Sequence, residues 1–241
     1  MTSIYDHIKI ASKAGEKLLA VLMDPDKFPV ENTQSFIEKV NRSKITHVFV
    51  GGSFVADFKT DLLISEIKKF TTLPIVLFPG DTNQISQKAD AILFLSLISG
   101  NNAEYLINKQ VEAVPFLKNS NLEIIPTGYI LVQNGKVTSV EKVTHTNPLS
   151  KLDVQKICDT AKAGEYLGMR LIYLEAGSGA SHAINCEIVK LVKTELEIPL
   201  LVGGGIRSKK QINDAFSAGA DLVVIGTILE GDESFFDELM R

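Results

Sequence analysis

Two apolar runs near the C-terminus constrain this chain more than any other feature: Ile198-Pro199-Leu200-Leu201-Val202-Gly203-Gly204-Gly205 and Ala220-Asp221-Leu222-Val223-Val224-Ile225-Gly226. Neither alternates polar with apolar residues, so each reads as a strand buried on both faces. Both stop at glycine, and the stretch between them, Lys209 to Ala218, has the pattern of an amphipathic helix. Strand, crossover helix and parallel strand form one βαβ unit, which implies a parallel sheet covered by helices. Similar runs fall at residues 18–23, 47–50, 74–78, 91–95, 122–125 and 170–174. Together they recur at roughly 30 residues per unit, the size of a βα repeat.

Eight such strands close naturally into a single (β/α)8 barrel, the TIM-barrel architecture of the α/β class, taken here as one domain over residues 1–241. The alternative is an open doubly wound sheet, but its Gly-x-Gly-x-x-Gly fingerprint is missing from the first turn. A 241-residue chain that is 45% hydrophobic can bury one large core. Helices are expected over 3–14, 31–41, 103–118 and 151–167. Two irregularities stand out. Thr82 to Lys88 is short for a covering helix, so the third crossover is reduced. After strand five, Gln133-Asn134-Gly135 between β-branched runs predicts a hairpin projecting from the functional edge.

A formal charge of −4 argues against a nucleic-acid binder working through a broad basic face. There is no basic leader followed by an apolar stretch and no uninterrupted run of about eighteen apolar residues, so no transmembrane segment is expected. Cys158 and Cys186 lack C-x-x-C spacing and fall in helical segments, where buried thiols are the ordinary outcome; a reducing cytoplasm fits.

Active sites of such barrels lie at the carboxyl ends of the strands. The candidates there are Asp24, Asp26, Lys27, Ser53, Asp81, Tyr173, Glu175, Ser178, the glycines and Thr227. Gly203, Gly204, Gly205 and Gly226 offer bare backbone N–H groups after strands seven and eight, the position where barrels bind phosphate; the blander reading is tight turns without a ligand. Asp24 and Ser53 supply hard oxygen ligands suited to Mg²⁺, or else cap the turn at Pro25 and the second helix. Asp26 and Lys27 read as solvated turn residues. Tyr173 and Glu175, two apart on one strand, share a face and precede Gly177-Ser178-Gly179. They suit binding a polyol and taking a proton from its hydroxyl, with a purely structural Tyr–Glu hydrogen bond as the alternative. His7, His47, His145 and His182 have no metal-ligand spacing, and His182 alone stays in view as an outer neighbour of the 179 turn. Two rivals are another phosphate-binding barrel enzyme, such as an aldolase, a sugar-phosphate isomerase or a flavin-phosphate protein, and a non-catalytic phospho-ligand binding protein. An aldolase would want a strand-end lysine, and Lys27 is the single candidate.

Leu22-Met23-Asp24-Pro25-Asp26-Lys27, Val50-Gly51-Gly52-Ser53, Ile125-Pro126-Thr127-Gly128-Tyr129-Ile130, Tyr173 to Ala180, Val202 to Arg207 and Ile225-Gly226-Thr227 together resemble the geranylgeranylglyceryl phosphate synthases over essentially the whole chain. The heptaprenylglyceryl phosphate synthases share much of this pattern. Tyr-x-Glu-x-x-Ser-Gly is its most specific part. The resemblance implies a cytoplasmic, homo-oligomeric prenyltransferase of lipid biosynthesis. Such an enzyme joins geranylgeranyl diphosphate, chosen here over a longer donor, to the C3 hydroxyl of sn-glycerol 1-phosphate, with Mg²⁺. By position, Asp24 and Ser53 would hold the metal. Tyr173, Leu174, Glu175, Ala176, Gly177, Ser178 and Gly179, with Gly204, Gly205, Gly226 and Thr227, would bind glycerol phosphate. Glu175, beside Tyr173, would accept the proton of the attacking hydroxyl. Some members carry lysine two places before the metal aspartate and asparagine after the last glycine, where this chain has Leu22 and Thr227. A prenyl groove is expected past the third crossover, flanked by Phe and Leu residues of the neighbouring helices.

Overall fold

The structure, a computed structural model, describes residues 3–226 and 235–240. Eight parallel strands pair in sequence order and close on themselves: β1 Leu18–Met23, β2 His47–Val50, β3 Ile75–Leu77, β4 Ala91–Leu97, β5 Glu123–Leu131, β6 Leu171–Glu175, β7 Leu200–Gly203 and β8 Leu222–Ile225. Closure is made by β1 against β8, with Leu18 opposite Leu222 and Val21 opposite Ile225. Alternation along each strand sorts the apolar residues into two cores. Leu18, Ala20, Phe49, Val76, Leu93 and Tyr173 fill the barrel. Leu19, Val21, Val50, Ile92, Leu174 and Val202 face the surrounding helices. This two-sided burial is why the strands read as unbroken apolar runs.

The covering helices are α2 Thr33–Arg42, α3 Lys59–Ile67, α4 Lys109–Leu117, α6 Val154–Tyr166, α7 Cys186–Glu195 and α8 Lys209–Ser217. A closing helix, Phe235–Met240, sets Phe236 edge-on to Phe36 of α2 with ring centroids 5.2 Å apart. The N-terminal helix α1, Ile4–Ala14, lies across the floor of the barrel, where Tyr5, Ile8 and Ala11 join the interior core. Glu123, at the start of β5, accepts from the backbone N–H groups of Ile4 (2.6 Å) and Tyr5 (3.0 Å). A carboxylate there satisfies two orphan donors and complements the helix dipole.

The third crossover is indeed reduced, to a single 3₁₀ turn, Thr82–Gln84. The expected hairpin after β5 is absent. Val132 bridges to Leu149, and the chain turns into a short helix, α5 Ser139–Thr144. Thr138 and Glu141 form a reciprocal capping box that commits the segment to a helix, a local signal that outweighs the Asn134-Gly135 turn propensity. The segment expected as one helix over 103–118 is two: a π-helical turn, Glu104–Asn108, then α4 with Pro115 inside it. Of the two cysteines, Cys158 is buried as expected, whereas Cys186 sits exposed at the first position of α7.

His47, at the base of β2, is fully buried; its Nδ1 lies 2.8 Å from Thr46 Oγ1 and its Nε2 has no partner. Burial, and secondarily nearby His7, pull its pKa from 6.5 down to about 4. The native state therefore keeps this ring neutral after the unfolded chain has taken up a proton. Stability is lost as pH falls through that window, by up to about 3 kcal/mol. Because Glu175 titrates with the opposite sign over the same range, the effect is read by difference: in urea unfolding the wild type should lose about 2 kcal/mol relative to His47→Leu between pH 7 and pH 5.

Candidate active site

The carboxyl ends of the strands surround one cavity that brings together Asp24, Ser53, Tyr173, Glu175, Ser178 and Gly179, with Gly204 next to Glu175, Gly205 following it and Gly226 next to Leu22. Thr227 lies outside the described residues. Leu174 and Ala176, carried over by position, do not face the cavity. They pack in the shell between barrel and helices, as strand alternation requires. Gly177 lies under Thr138, and its contribution is a backbone donor.

Glu175 ends β6, inward and 5% exposed. Its Oε1 accepts from Gly177 N–H at 2.6 Å, and the Tyr173 hydroxyl donates to the same carboxylate. Desolvation outweighs both bonds and pushes its pKa from 4.5 up to about 7. A carboxyl group poised near neutrality inside a cleft is suited to proton transfer. Tyr173 is buried and lies beside Phe78, nearly parallel at 5.2 Å, and Tyr129, at 5.5 Å. Burial, then the Glu175 charge, hold both tyrosines well above the usual phenol range, so both remain proton donors.

The three consecutive glycines have separate jobs. A methyl at Gly203 would strike the Tyr173 hydroxyl, and one at Gly204 would strike Glu175 Oε1. Gly204 and Gly205 hold φ of 79° and 67°, a left-handed turn that leaves backbone N–H groups bare. Arg207, at the end of this turn, donates from Nη2 to Ala180 O at 2.9 Å and ties the β7 loop to the β6 loop.

Across the mouth, Asp24 is 7% exposed after β1; its Oδ1 accepts from Asp26 N–H at 3.0 Å and its Oδ2 from Lys27 Nζ. Lys27 is thus engaged with the carboxylate rather than merely solvated, and Asp26 pairs with Lys59 at 2.7 Å. A Cβ at Gly52 would press on the Asp24 carboxylate, so the glycine before Ser53 keeps that group open. Gln84, 1% exposed on the 3₁₀ turn, donates to Gly52 O (2.8 Å) and accepts from Gly52 and Gly80 N–H (both 3.2 Å). The reduced crossover thus supplies one amide that locks two loops of the mouth.

Where a third helix would lie, the cavity continues sideways as an apolar groove beside Ile85, Ile92, Phe94, Tyr105, Ala113 and Val143. Its walls come from strands, the π-helical turn, α4 and α5, but α4 contributes Lys109, Gln110 and Ala113 rather than the expected Phe and Leu side chains. Asp81 and Lys109 (3.0 Å) bridge the gap beside it, and the bond to Asp81 holds the lysine pKa above its usual range. Phe78, Gln84 and Lys109 carry no sequence motif. Tyr129 was within reach, since it is inward by the same alternation that places Thr127 and Leu131.

The model of the PcrB family matches residues 13–241. The geranylgeranylglyceryl phosphate synthase of Flavobacterium johnsoniae is 52% identical over 237 residues, 98% of each chain. That of Zunongwangia profunda is 51% identical over 97% of this chain and 99% of its own. Among solved structures, (S)-3-O-geranylgeranylglyceryl phosphate synthase from Thermoplasma acidophilum, in complex with sn-glycerol-1-phosphate, superposes with a TM-score of 0.93 at 34% identity, covering 100% of this chain and 96% of that one. With the floor, the strand ends and the Tyr-x-Glu-x-x-Ser-Gly turn all inside one near full-length match, the chain belongs to the PcrB family, alongside the geranylgeranylglyceryl phosphate synthases.

Proposed function

We propose that this protein is a geranylgeranylglyceryl phosphate synthase: a prenyltransferase that joins sn-glycerol 1-phosphate to geranylgeranyl diphosphate through an ether bond, releasing diphosphate. One observation carries the reading. A buried carboxyl group near neutrality stands between a glycine-lined polar pocket and an apolar groove, so one proton acceptor faces both substrates. The backbone N–H groups of the Gly204-Gly205 turn and the 177–179 loop take the phosphate, Tyr173 orients the glycerol, and Glu175 accepts the proton of the C3 hydroxyl as its oxygen bonds to the prenyl C1. The apolar groove excludes water from the allylic carbon. All of this is carried by a single barrel domain in the cytoplasm, working as a homo-oligomer, for which exposed Val111 and Val114 of α4 offer an apolar contact.

The donor set suits Mg²⁺. Among the described residues no cluster of three or more His, Cys, Asp or Glu side chains forms a protein cage. Asp24 instead presents one buried carboxylate, at present paired with the Lys27 ammonium that a cation would displace, and Ser53 lines the same mouth, the pattern of a metal that takes its other ligands from substrate phosphates and water. When bound there, Mg²⁺ offsets the charge that builds on the departing diphosphate. Asp24→Ala should lower turnover on the order of 10³-fold while leaving the dissociation constant for glycerol phosphate within about twofold, since the phosphate is taken by backbone donors of the β6 and β7 loops rather than by Asp24. Calorimetry alongside turnover checks both halves.

Transfer of radiolabelled glycerol phosphate into an organic-extractable product, with and without EDTA, tests the activity; no label in the organic phase overturns it. Competing geranylgeranyl and longer donors in one mixture, with product masses compared, tests chain length. Glu175 also sets a pH dependence. Its base form is needed, so kcat/KM should rise about tenfold per unit below about pH 7 and level off above it.

A further inference from the structure

Exposed large apolar side chains occur at both ends of the barrel; Ile10, Phe116, Ile124, Tyr166 and Leu167 lie toward the amino ends of the strands, others toward the mouth. From residue 168 to 226 Leu191 alone is exposed, whereas the loops after β2, β4 and β5 expose Phe54 (72%), Phe58 (84%), Ile107, Val137 and Val143. These loops touch in series around the groove side of the mouth. Asn83 Nδ2 donates to Val55 O and to Asp57 Oδ1, both at 2.9 Å, joining the β2 loop to the third crossover. Asp81 pairs with Lys109, joining that crossover to α4. The Tyr105 hydroxyl donates to Val143 O at 3.3 Å and Asn102 Nδ2 to Thr144 O at 2.8 Å, joining the β4 loop to α5. Tyr105 and Val143 also line the groove, so the apolar interior runs out onto an apolar rim.

Two further features favour a lipid surface as the occupant. Phe58 holds a left-handed backbone, φ 65° and ψ −12°, which bulky side chains rarely adopt, and its ring stands in solvent. Lys136 and Lys142 flank the valines, both exposed and with no ion pair among the described residues, while the intervening Glu141 is occupied by its capping box. Val137 and Val143 beside unpaired lysines match an acyl boundary under anionic headgroups, while Asp57 between the two phenylalanines is held by Asn83.

We infer that this rim docks the enzyme on the surface of an anionic bilayer, with Phe54 and Phe58 inserted and Lys136 and Lys142 against the headgroups, so that the groove opens onto the lipid phase. The inference rests on the prenyltransferase reading, since only a lipid-bearing groove needs that opening. No helix among the described residues is long and apolar enough to cross a membrane, and attachment of this kind is peripheral.

Cosedimentation with vesicles of phosphatidylethanolamine and phosphatidylglycerol should retain the wild-type protein. Vesicles of phosphatidylcholine alone should retain less. Phe54→Ser with Phe58→Asn should weaken binding at least about tenfold. Asparagine tolerates the left-handed backbone, so thermal melting should confirm an intact fold. Lys136→Glu with Lys142→Glu should abolish the preference for anionic lipid. With donor supplied in detergent all forms should turn over alike, and with donor in vesicles the variants should fall behind. Full turnover in detergent without wild-type vesicle binding overturns the docking alone; a drop in oligomer mass in the phenylalanine variant, with no vesicle binding, reassigns the rim to a contact between copies. No turnover in detergent overturns the underlying reaction instead.

Discussion

Replacing Glu175 with glutamine should lower kcat roughly 10²–10⁴-fold and make the protein more stable at the same time. The two effects share one cause. The folded state holds the Glu175 proton to about pH 7, whereas an unfolded glutamate releases it near 4.5. Between those values the native state binds the extra proton, so stability falls as pH rises, and above pH 7 the buried charge costs about 3 kcal/mol. Glutamine keeps the volume and an acceptor for Gly177 N–H without the charge. Denaturant melts near pH 8 should show the variant more stable by about 2–3 kcal/mol, with the difference shrinking toward pH 5. A variant of unchanged stability and near-normal turnover would mean that this carboxylate is neither strained nor catalytic.

Gly204→Ala should damage catalysis severely through a single methyl group. The backbone there is left-handed, costing an alanine about 1–2 kcal/mol, and the new methyl meets Glu175 Oε1 together with the N–H groups of Ala176 and Gly177. None of these neighbours can retreat freely: the carboxylate is bonded to Gly177, and Ala176 N–H donates to Gly203 O at 3.0 Å. Displacing the base by about 1 Å disturbs the phosphate turn and the proton acceptor together, so kcat/KM should drop on the order of 10²-fold or more. Gly219→Ala is the control. Its φ is also positive, at 112°, but its Cβ would meet the flexible side chain of Lys193, far from the mouth. It should lose stability without a selective loss of kcat/KM.

The barrel was legible because both faces of every strand are buried, which turns each strand into an apolar run and leaves its end marked by a polar or glycine residue. That same rule located Asp24, Ser53, Tyr173 and Glu175, since a strand end is a position in the mouth. Leu174 and Ala176 came from the resemblance instead, which carries over consecutive motif residues, and alternation turns their side chains outward into the shell of helices. The hairpin failed for a different reason. Asn134-Gly135 is a turn in either outcome, and the conformation of the chain beyond it is decided by Thr138 and Glu141, three residues apart, through a short-range capping signal. Gln84 and Lys109 were illegible because their roles depend on which loops the closed barrel brings together. Glutamine on a 3₁₀ turn acquires meaning only when Gly52 and Gly80 arrive beside it.

Helix α1 stoppers the barrel from below, with Tyr5 and Ile8 wedged into the interior and Glu123 pinning its first turn. Traffic is therefore restricted to the top and to the flank opened by the reduced crossover after β3. A water-loving fragment and a greasy one that part company after reaction have separate ways out: the first lifts off beside Asp24 and Ser53, the second slides away along the gap. Their departures need not wait on each other, and free diphosphate should compete with the prenyl donor for re-entry.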